Sequence, residues 1–283
     1  MSCEQTTTQS NSTGDSATTK TVTPIPSQPV NITYRAMSTK DLGVAALKNM
    51  DSNRLQTIYT LNRVDKEHLS KIDTLIIPDN VQADVMQYSI FPKDVPALQN
   101  VNKIIFFSYP AEAFAAYDHG KLVRWGATNM GRKKDPTPTG LTYANWKKEV
   151  DTSSVKDEWI LKWNVNILNK DGVGFHEYDL PGYPASHSCL RLMDADAAYL
   201  YQWVDQWTMK GTDDIKAHGT PVMVFGAYPF GGRKPWLALA QNPHALDMSA
   251  NDIQALIQPN LQEIMTEQQK TEAILAAKST ASK

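Results

Sequence analysis

The sequence predicts a mainly β body with one prominent helix, preceded by a small α/β unit and followed by a helical tail. Three patterns carry that reading. Residues 101–107 (VNKIIFF) concentrate β-branched and aromatic side chains, the composition of a strand. Residues 114–117 and 121–125 are two further apolar runs joined by Asp118-His119-Gly120, a hairpin with a tight loop. Beyond residue 193, Ala197, Leu200, Tyr201 and Val204 fall at the 0, 3, 4, 7 spacing of a helix that buries one face.

In chain order, residues 1–36 are rich in Ser, Thr, Gln and Pro and carry too little apolar surface to offset ordering entropy, so they read as a disordered tether. Residues 37–80 form a small unit. Residues 41–50 suggest a short helix through Leu42, Ala45, Ala46 and Met50, and Leu75-Ile76-Ile77-Pro78 reads as a strand. Residues 81–98 connect this unit to the main domain, 99–229. Within that domain, residues 159–168 alternate apolar and polar, turn at Asn169-Lys170-Asp171-Gly172 and resume through His176 near a strand end. Asp194 is the expected N-cap of the prominent helix, and residues 220–226 read as a closing strand. Residues 230–250 look irregular. In the extension 230–283, Ile253, Leu256, Ile257, Leu261, Ile264 and Met265 mark an amphipathic helix interrupted near Pro259.

With 28 Lys and Arg against 30 Asp and Glu in 283 residues, the chain has no overall field to gather nucleic acid, and none is expected as a partner. The basic run Arg132-Lys133-Lys134 is followed at once by Asp135 and reads as a solvated loop. No stretch approaches the ~20 apolar residues of a membrane span. One body cysteine with scattered histidines makes no four-ligand zinc set, so no metal or other cofactor is expected. No apolar signal-peptide core precedes the polar tail, so no export signal is read in the chain.

The chemistry-bearing run is Pro184-Ala185-Ser186-His187-Ser188-Cys189-Leu190-Arg191-Leu192, with His176 thirteen residues before the cysteine. A thiol is mostly protonated at pH 7 and attacks well only when a base takes its proton. Cys189 therefore reads as a nucleophile, with His176 and His187 as the histidines able to serve it. His119 reads as a turn residue. The N–H groups of Ser188 and Cys189 are candidates for an oxyanion hole. Arg191 offers a planar fork to a substrate carboxylate, or an ion pair that supports the loop. Ser186 and Tyr183 are further positioning candidates.

The same run resembles the Ser/Thr-x-Gly-Cys-x-Arg signature of the L,D-transpeptidase catalytic domain, the YkuD-type domain of bacterial cell-wall enzymes. Thr137-Pro138-Thr139-Gly140 is similar to the family's Thr-Pro-x-Gly turn, Gly174-Phe175-His176 to the strand that carries its base, and residues 219–224 to its closing strand. The resemblance spans residues 99–229 and implies a β-sandwich catalytic domain. It also implies that Cys189 attacks a tetrapeptide stem of peptidoglycan between diaminopimelate and D-alanine, with His176 as base, oriented by a nearby backbone carbonyl. Glu177 or its carbonyl is the local candidate for that role. Two departures stand out: Ser188 replaces the family's glycine before the cysteine, and Glu177 follows the first histidine where glycine is usual. Residues 55–78 resemble the second half of a LysM module, which binds cell-wall glycan, and a packed cap is the other reading. Cys3 before a polar tether looks like the mature start of a lipoprotein, which implies a lipid anchor and a place in the periplasm or cell envelope. The expected activity is transpeptidation; hydrolysis by the same site, or wall binding without catalysis, remain alternatives. The amine acceptor and the oligomeric state are not legible.

Overall fold

A computed structural model describes residues 32–40, 47, 49–152, 160–212 and 214–281. The expected tether up to residue 31, Cys3 within it, and most of the short helix expected at 41–50 lie outside those residues.

Nine strands form one curled sheet in the order β6-β13-β3-β4-β5-β10-β9-β8-β7. They are β3 (Lys103–Ser108), β4 (Ala113–Asp118), β5 (Lys121–Asn129), β6 (Gly140–Tyr143), β7 (Lys147–Thr152), β8 (Ile160–Leu168), β9 (Val173–Glu177), β10 (Leu190–Leu192) and β13 (Pro221–Phe225). Two neighbour pairs, β13 with β3 and β9 with β10, run parallel. Just beyond β6, the Asn145 N–H bonds Asn166 C=O and the Asn166 N–H bonds Trp146 C=O. Those bonds draw one end of the sheet back towards β8, so the expected mainly β architecture is a curled half-barrel.

The hairpin of β4 and β5 turns through His119 and Gly120 with φ of 47° and 77°. Two successive residues at positive φ match the twist of the flanking strands. His119 is exposed there; its ring bonds its neighbour Asp118, and its N–H donates to Asn102 C=O at 3.2 Å.

The sheet is covered on both faces, which explains why β3 is apolar without alternation. Ile104 and Phe106 enter one core with Tyr117, Trp125 and Met223, while Ile105 and Phe107 enter the other with Phe114, Phe175, Leu190 and Leu192. Each such side chain, fully withdrawn from water, contributes roughly 1.5–3 kcal/mol. Helix α2 (Asp194–Trp203) closes the second core through Ala197 and Leu200. Its N-cap is Met193 rather than Asp194, because the Asp194 carboxylate accepts from Trp163 Nε1 at 3.0 Å. The first core is closed by Ile253 and Ile257 of α3 (Ala250–Ile257) and Ile264 of α4 (Leu261–Ala281). Between the two helices, the turn Gln258–Asn260 contains Pro259 and makes the expected interruption. A short antiparallel pair, β11 (Thr208–Lys210) and β12 (Asp214–Ala217), lies between α2 and β13.

Upstream, β1 (Tyr34–Ser38) and β2 (Thr74–Pro78) pair antiparallel, with α1 (Ser52–Asn62) between them in sequence. Strand β1 therefore starts ahead of the expected boundary at residue 36. From Ile32 onward the chain is one compact unit. Buried Asn62 ties α1 to β2, donating to Ile76 C=O at 2.8 Å and accepting from Ile76 N–H at 2.7 Å. Arg63, in the left-handed region at φ 56°, ends α1 and donates through Nε to Ala111 C=O at 2.8 Å, inside the main domain. The Asp65 N–H bonds Leu180 C=O at 3.0 Å, and its carboxylate accepts from the Leu180 N–H at 2.7 Å. Residues 37–80 are thus built into the body next to the 180s loop. Among the described residues no helix is long and apolar enough to cross a membrane.

Candidate active site

The parallel register of β9 and β10 sets Leu190 beside Phe175 and Arg191 beside His176. Cys189 immediately precedes β10, so its thiol lies against the chain that leads into β9. Its Sγ is 4.0 Å from Gly172 C=O, and the Gly174 N–H also reaches it. Gly174 is required by packing: a Cβ there would stand 2.4 Å from Val165 C=O. Among the described residues no hydrogen bond joins the Cys189 thiol to His176.

His176 is 3 % exposed, and its Nδ1 is 2.8 Å from the Glu177 carbonyl oxygen. That contact fixes the tautomer: Nδ1 carries the proton and donates, leaving Nε2 as the basic nitrogen. Of the two Glu177 groups expected to orient the imidazole, the backbone carbonyl does so. Burial lowers the His176 pKa to about 4, against the Glu177 carbonyl, which raises it, and with Arg191 lowering it further. Burial also pushes the Cys189 thiol up, opposed by the Gly174 N–H and by Arg191. At neutral pH both groups are uncharged. Neither environment favours a standing thiolate or imidazolium.

The loop before the cysteine is tightly tied. The Ser186 N–H bonds Met130 C=O at 3.1 Å, and Ser186 C=O accepts from the Arg132 N–H at 3.0 Å. Ser186 is 1 % exposed, and its hydroxyl donates to the Cys189 carbonyl at 2.5 Å. This is a buried position whose hydroxyl is spent on the loop itself. Ser188 has φ 82°. The residue that replaces glycine thus keeps the backbone shape glycine would take freely, at a cost of about 1–2 kcal/mol for a side chain in this region. Its hydroxyl recovers a bond to Asp135 C=O at 3.3 Å.

The Thr-Pro-x-Gly turn acts at this same point. Thr137 is buried; its Oγ accepts from the Gly131 N–H at 2.8 Å and donates to Ser188 C=O at 2.9 Å. Tyr109 OH bonds Gly131 C=O from the other side. Sequence reading found the Thr137 motif but gave this residue no task; its contact with Ser188 crosses fifty-one positions.

Arg191 lies with its guanidinium 4.5 Å from the centre of the Tyr178 ring and donates to Asp179 C=O at 3.4 Å. No ion pair of Arg191 is found among the described residues, so the loop-supporting role is filled by stacking on Tyr178. Tyr178 also meets His176 edge to face at 6.1 Å between centroids. The alternation of β9, continued one residue past its end at Glu177, was the available signal for Tyr178. His187 is half-buried in the loop, and Tyr183 is exposed while its carbonyl is held by Asn129 Nδ2. Asp65, His68 and Asp179 bring ligating atoms within 4.8 Å of one another, but the Asp65 carboxylate is already bonded to His68 Nδ1 and to the Leu180 N–H.

Residues 102–224 match the family model of the L,D-transpeptidase catalytic domain, YkuD. This region is similar to a YkuD-type domain. The match begins downstream of residues 37–80, and nothing marks those residues as a distinct LysM unit. Among solved structures, the chain is similar to an L,D-transpeptidase from Stackebrandtia nassauensis, with 22% identity over 45% of this chain and 57% of that one, at a TM-score of 0.38. It is similar to an L,D-transpeptidase from Mycobacterium smegmatis at 20% identity over 44% and 59%, TM-score 0.35. L,D-transpeptidase 3 from Mycobacterium tuberculosis, solved with a faropenem-derived adduct, gives 22% over 44% and 60%, TM-score 0.35. The chain thus spans under two thirds of the length of each of these structures. No curated protein matches it.

Proposed function

We propose that the protein is a peptidoglycan L,D-transpeptidase that works through a thioester on Cys189. The observation that supports this best is the junction of β9 and β10: the only free cysteine among the described residues lies two positions before Arg191, the register partner of a buried, neutral histidine whose basic nitrogen is set by a backbone carbonyl.

On this reading the Cys189 sulfur attacks the carbonyl carbon of a tetrapeptide stem while its proton passes to His176 Nε2. The C–N bond to the terminal D-alanine breaks, and His176 returns the proton to the departing amine. An acceptor amine then attacks the thioester, giving its proton back through His176 to the sulfur as the new amide forms. The N–H groups of Ser188 and Cys189 receive the developing oxyanion, aided by the turn at Ser188. Arg191 presents its remaining N–H groups to a substrate carboxylate, with Tyr178 holding the fork flat. His187 and Tyr183 line the approach to the loop, and residues 37–80 serve as a packed cap. A lipid on Cys3 keeps the protein at the envelope; loss of membrane association in Cys3→Ser is the check.

Muropeptide mass spectrometry tests the reaction. Purified tetrapeptide stems incubated with the protein are expected to give dimers lacking one D-alanine, and Cys189→Ala to give none. Tripeptides without dimers would make the enzyme an L,D-carboxypeptidase. Unchanged stems with folded protein would leave a wall-binding role, and glycan binding by residues 37–80 would then be measured.

A further inference from the structure

Behind the cysteine loop lies a residue that is expensive in two independent ways. Glu112 closes the β3–β4 hairpin at φ 46°, in the left-handed region, and its carboxyl group is 1 % exposed. Its Oε2 accepts from the Met130 N–H at 3.1 Å and from Asn129 Nδ2 at 3.3 Å; its Oε1 has no hydrogen-bond partner among the described residues. A strained backbone and a half-satisfied buried carboxyl on one residue are tolerated where they set up a functional geometry.

The two partners of Glu112 are among the residues that hold the loop. Asn129 Oδ1 accepts from the Ala185 N–H at 3.2 Å, and its Nδ2 also donates to Tyr183 C=O. Met130 C=O accepts from the Ser186 N–H at 3.1 Å, and the Ser186 hydroxyl then donates to Cys189 C=O. One chain of hydrogen bonds therefore runs from Glu112 through Met130 and Ser186 to the Cys189 carbonyl, and a second, through Asn129, ends at residues 183 and 185 of the same loop. Asn129 is also the register partner of Arg191 across β5 and β10. We propose that Glu112 is a positioning residue for Cys189, fixing residues 183–186 through Asn129 and Met130. This rests on Cys189 being the reactive group.

Burial drives Glu112 towards its neutral form, against the Met130 N–H and Arg63, which favour the charge. In that form glutamine copies its shape and keeps an acceptor for both partners. Aspartate has the same chemistry one methylene short, and so lets go of them.

The test reads the thiol itself: the rate of iodoacetamide alkylation of Cys189 against pH, in a Cys3→Ser background. No transpeptidase substrate is involved, so a failure here is separable from a failure of the proposed activity. In Glu112→Asp the loop loosens and more water reaches the half-buried thiol. The alkylation midpoint is expected to fall by about one pH unit, making alkylation at pH 7.5 about tenfold faster. In Glu112→Gln the midpoint is expected to stay at the starting value. A folded Glu112→Asp protein with an unmoved midpoint would overturn the proposal, as would Glu112→Gln shifting as far as Glu112→Asp. Should Glu112→Asp fail to fold, Asn129→Ser removes the amide arms alone: a lowered midpoint supports the proposal and an unmoved one overturns it.

Discussion

Lowering the pH separates a buried, neutral His176 from an ordinary histidine. An imidazole in water titrates near 6.5, whereas burial takes His176 to about 4. As a base it works only when unprotonated. At pH 5.5, a pKa of about 4 leaves about 97 % of the imidazole free, while a pKa of about 6.5 would leave roughly 9 %. The two cases differ by about tenfold at a single pH. The assay is the second-order rate of Cys189 acylation by a carbapenem from pH 4 to 8, followed by intact mass in a Cys3→Ser background. A plateau is expected down to about pH 5, with an acid limb near 4. The same shift affects stability. Below pH 6.5 the unfolded chain takes up a proton that folded His176 refuses, so stability falls as pH drops from 6.5 through 4. Spread over roughly 2.5 units, the loss from this one group is about 3 kcal/mol, complete below pH 4. Circular dichroism at each pH separates that loss from the rate. An acid limb at 6.5 with the fold intact would refute the buried, neutral base.

The remaining predictions concern the scaffold. Thr137→Val leaves the Gly131 N–H and the Ser188 carbonyl without their side-chain partner, and is expected to cost about 2–4 kcal/mol in urea unfolding and to slow acylation. A loss below about 0.5 kcal/mol would show that the tie is idle. Ser188→Gly relieves the left-handed backbone but adds freedom to the unfolded chain, so stability is expected to hold or rise by up to about 1 kcal/mol, with acylation at least as fast. A clear destabilisation would mean that the Ser188 bond to Asp135 matters more than the strain. Ile264→Ala opens a cavity where α4 meets the first core and is expected to cost about 2–4 kcal/mol, which an unchanged urea midpoint would contradict.

What the sequence revealed was local. The hairpin at His119-Gly120 was legible because a two-residue turn at positive φ has a strong sequence signal. Ile253, Ile257 and Ile264 announced a buried helical face by spacing alone. The loop residues Ser186 and Ser188 stood out through the Cys189 motif, but their opposite situations did not: one is a buried tie and the other a strained turn. Asp194 misled as a cap because its partner, Trp163, comes from another strand. Arg63, Glu112, Asn129 and the Thr137 hydroxyl all act across long sequence separations, which no window along the chain samples. For the same reason residues 37–80 read as a separate unit, although Arg63 and Asp65 bind them to the body.

The most direct test of Cys189 as a nucleophile served by His176 is intact mass after exposure to a carbapenem, followed by mapping of the modified peptide. The account predicts one adduct per chain on Cys189, slowed at least a hundredfold in His176→Ala and absent in Cys189→Ala. A folded protein that takes up no adduct, or one that reacts equally well without Cys189, would contradict it.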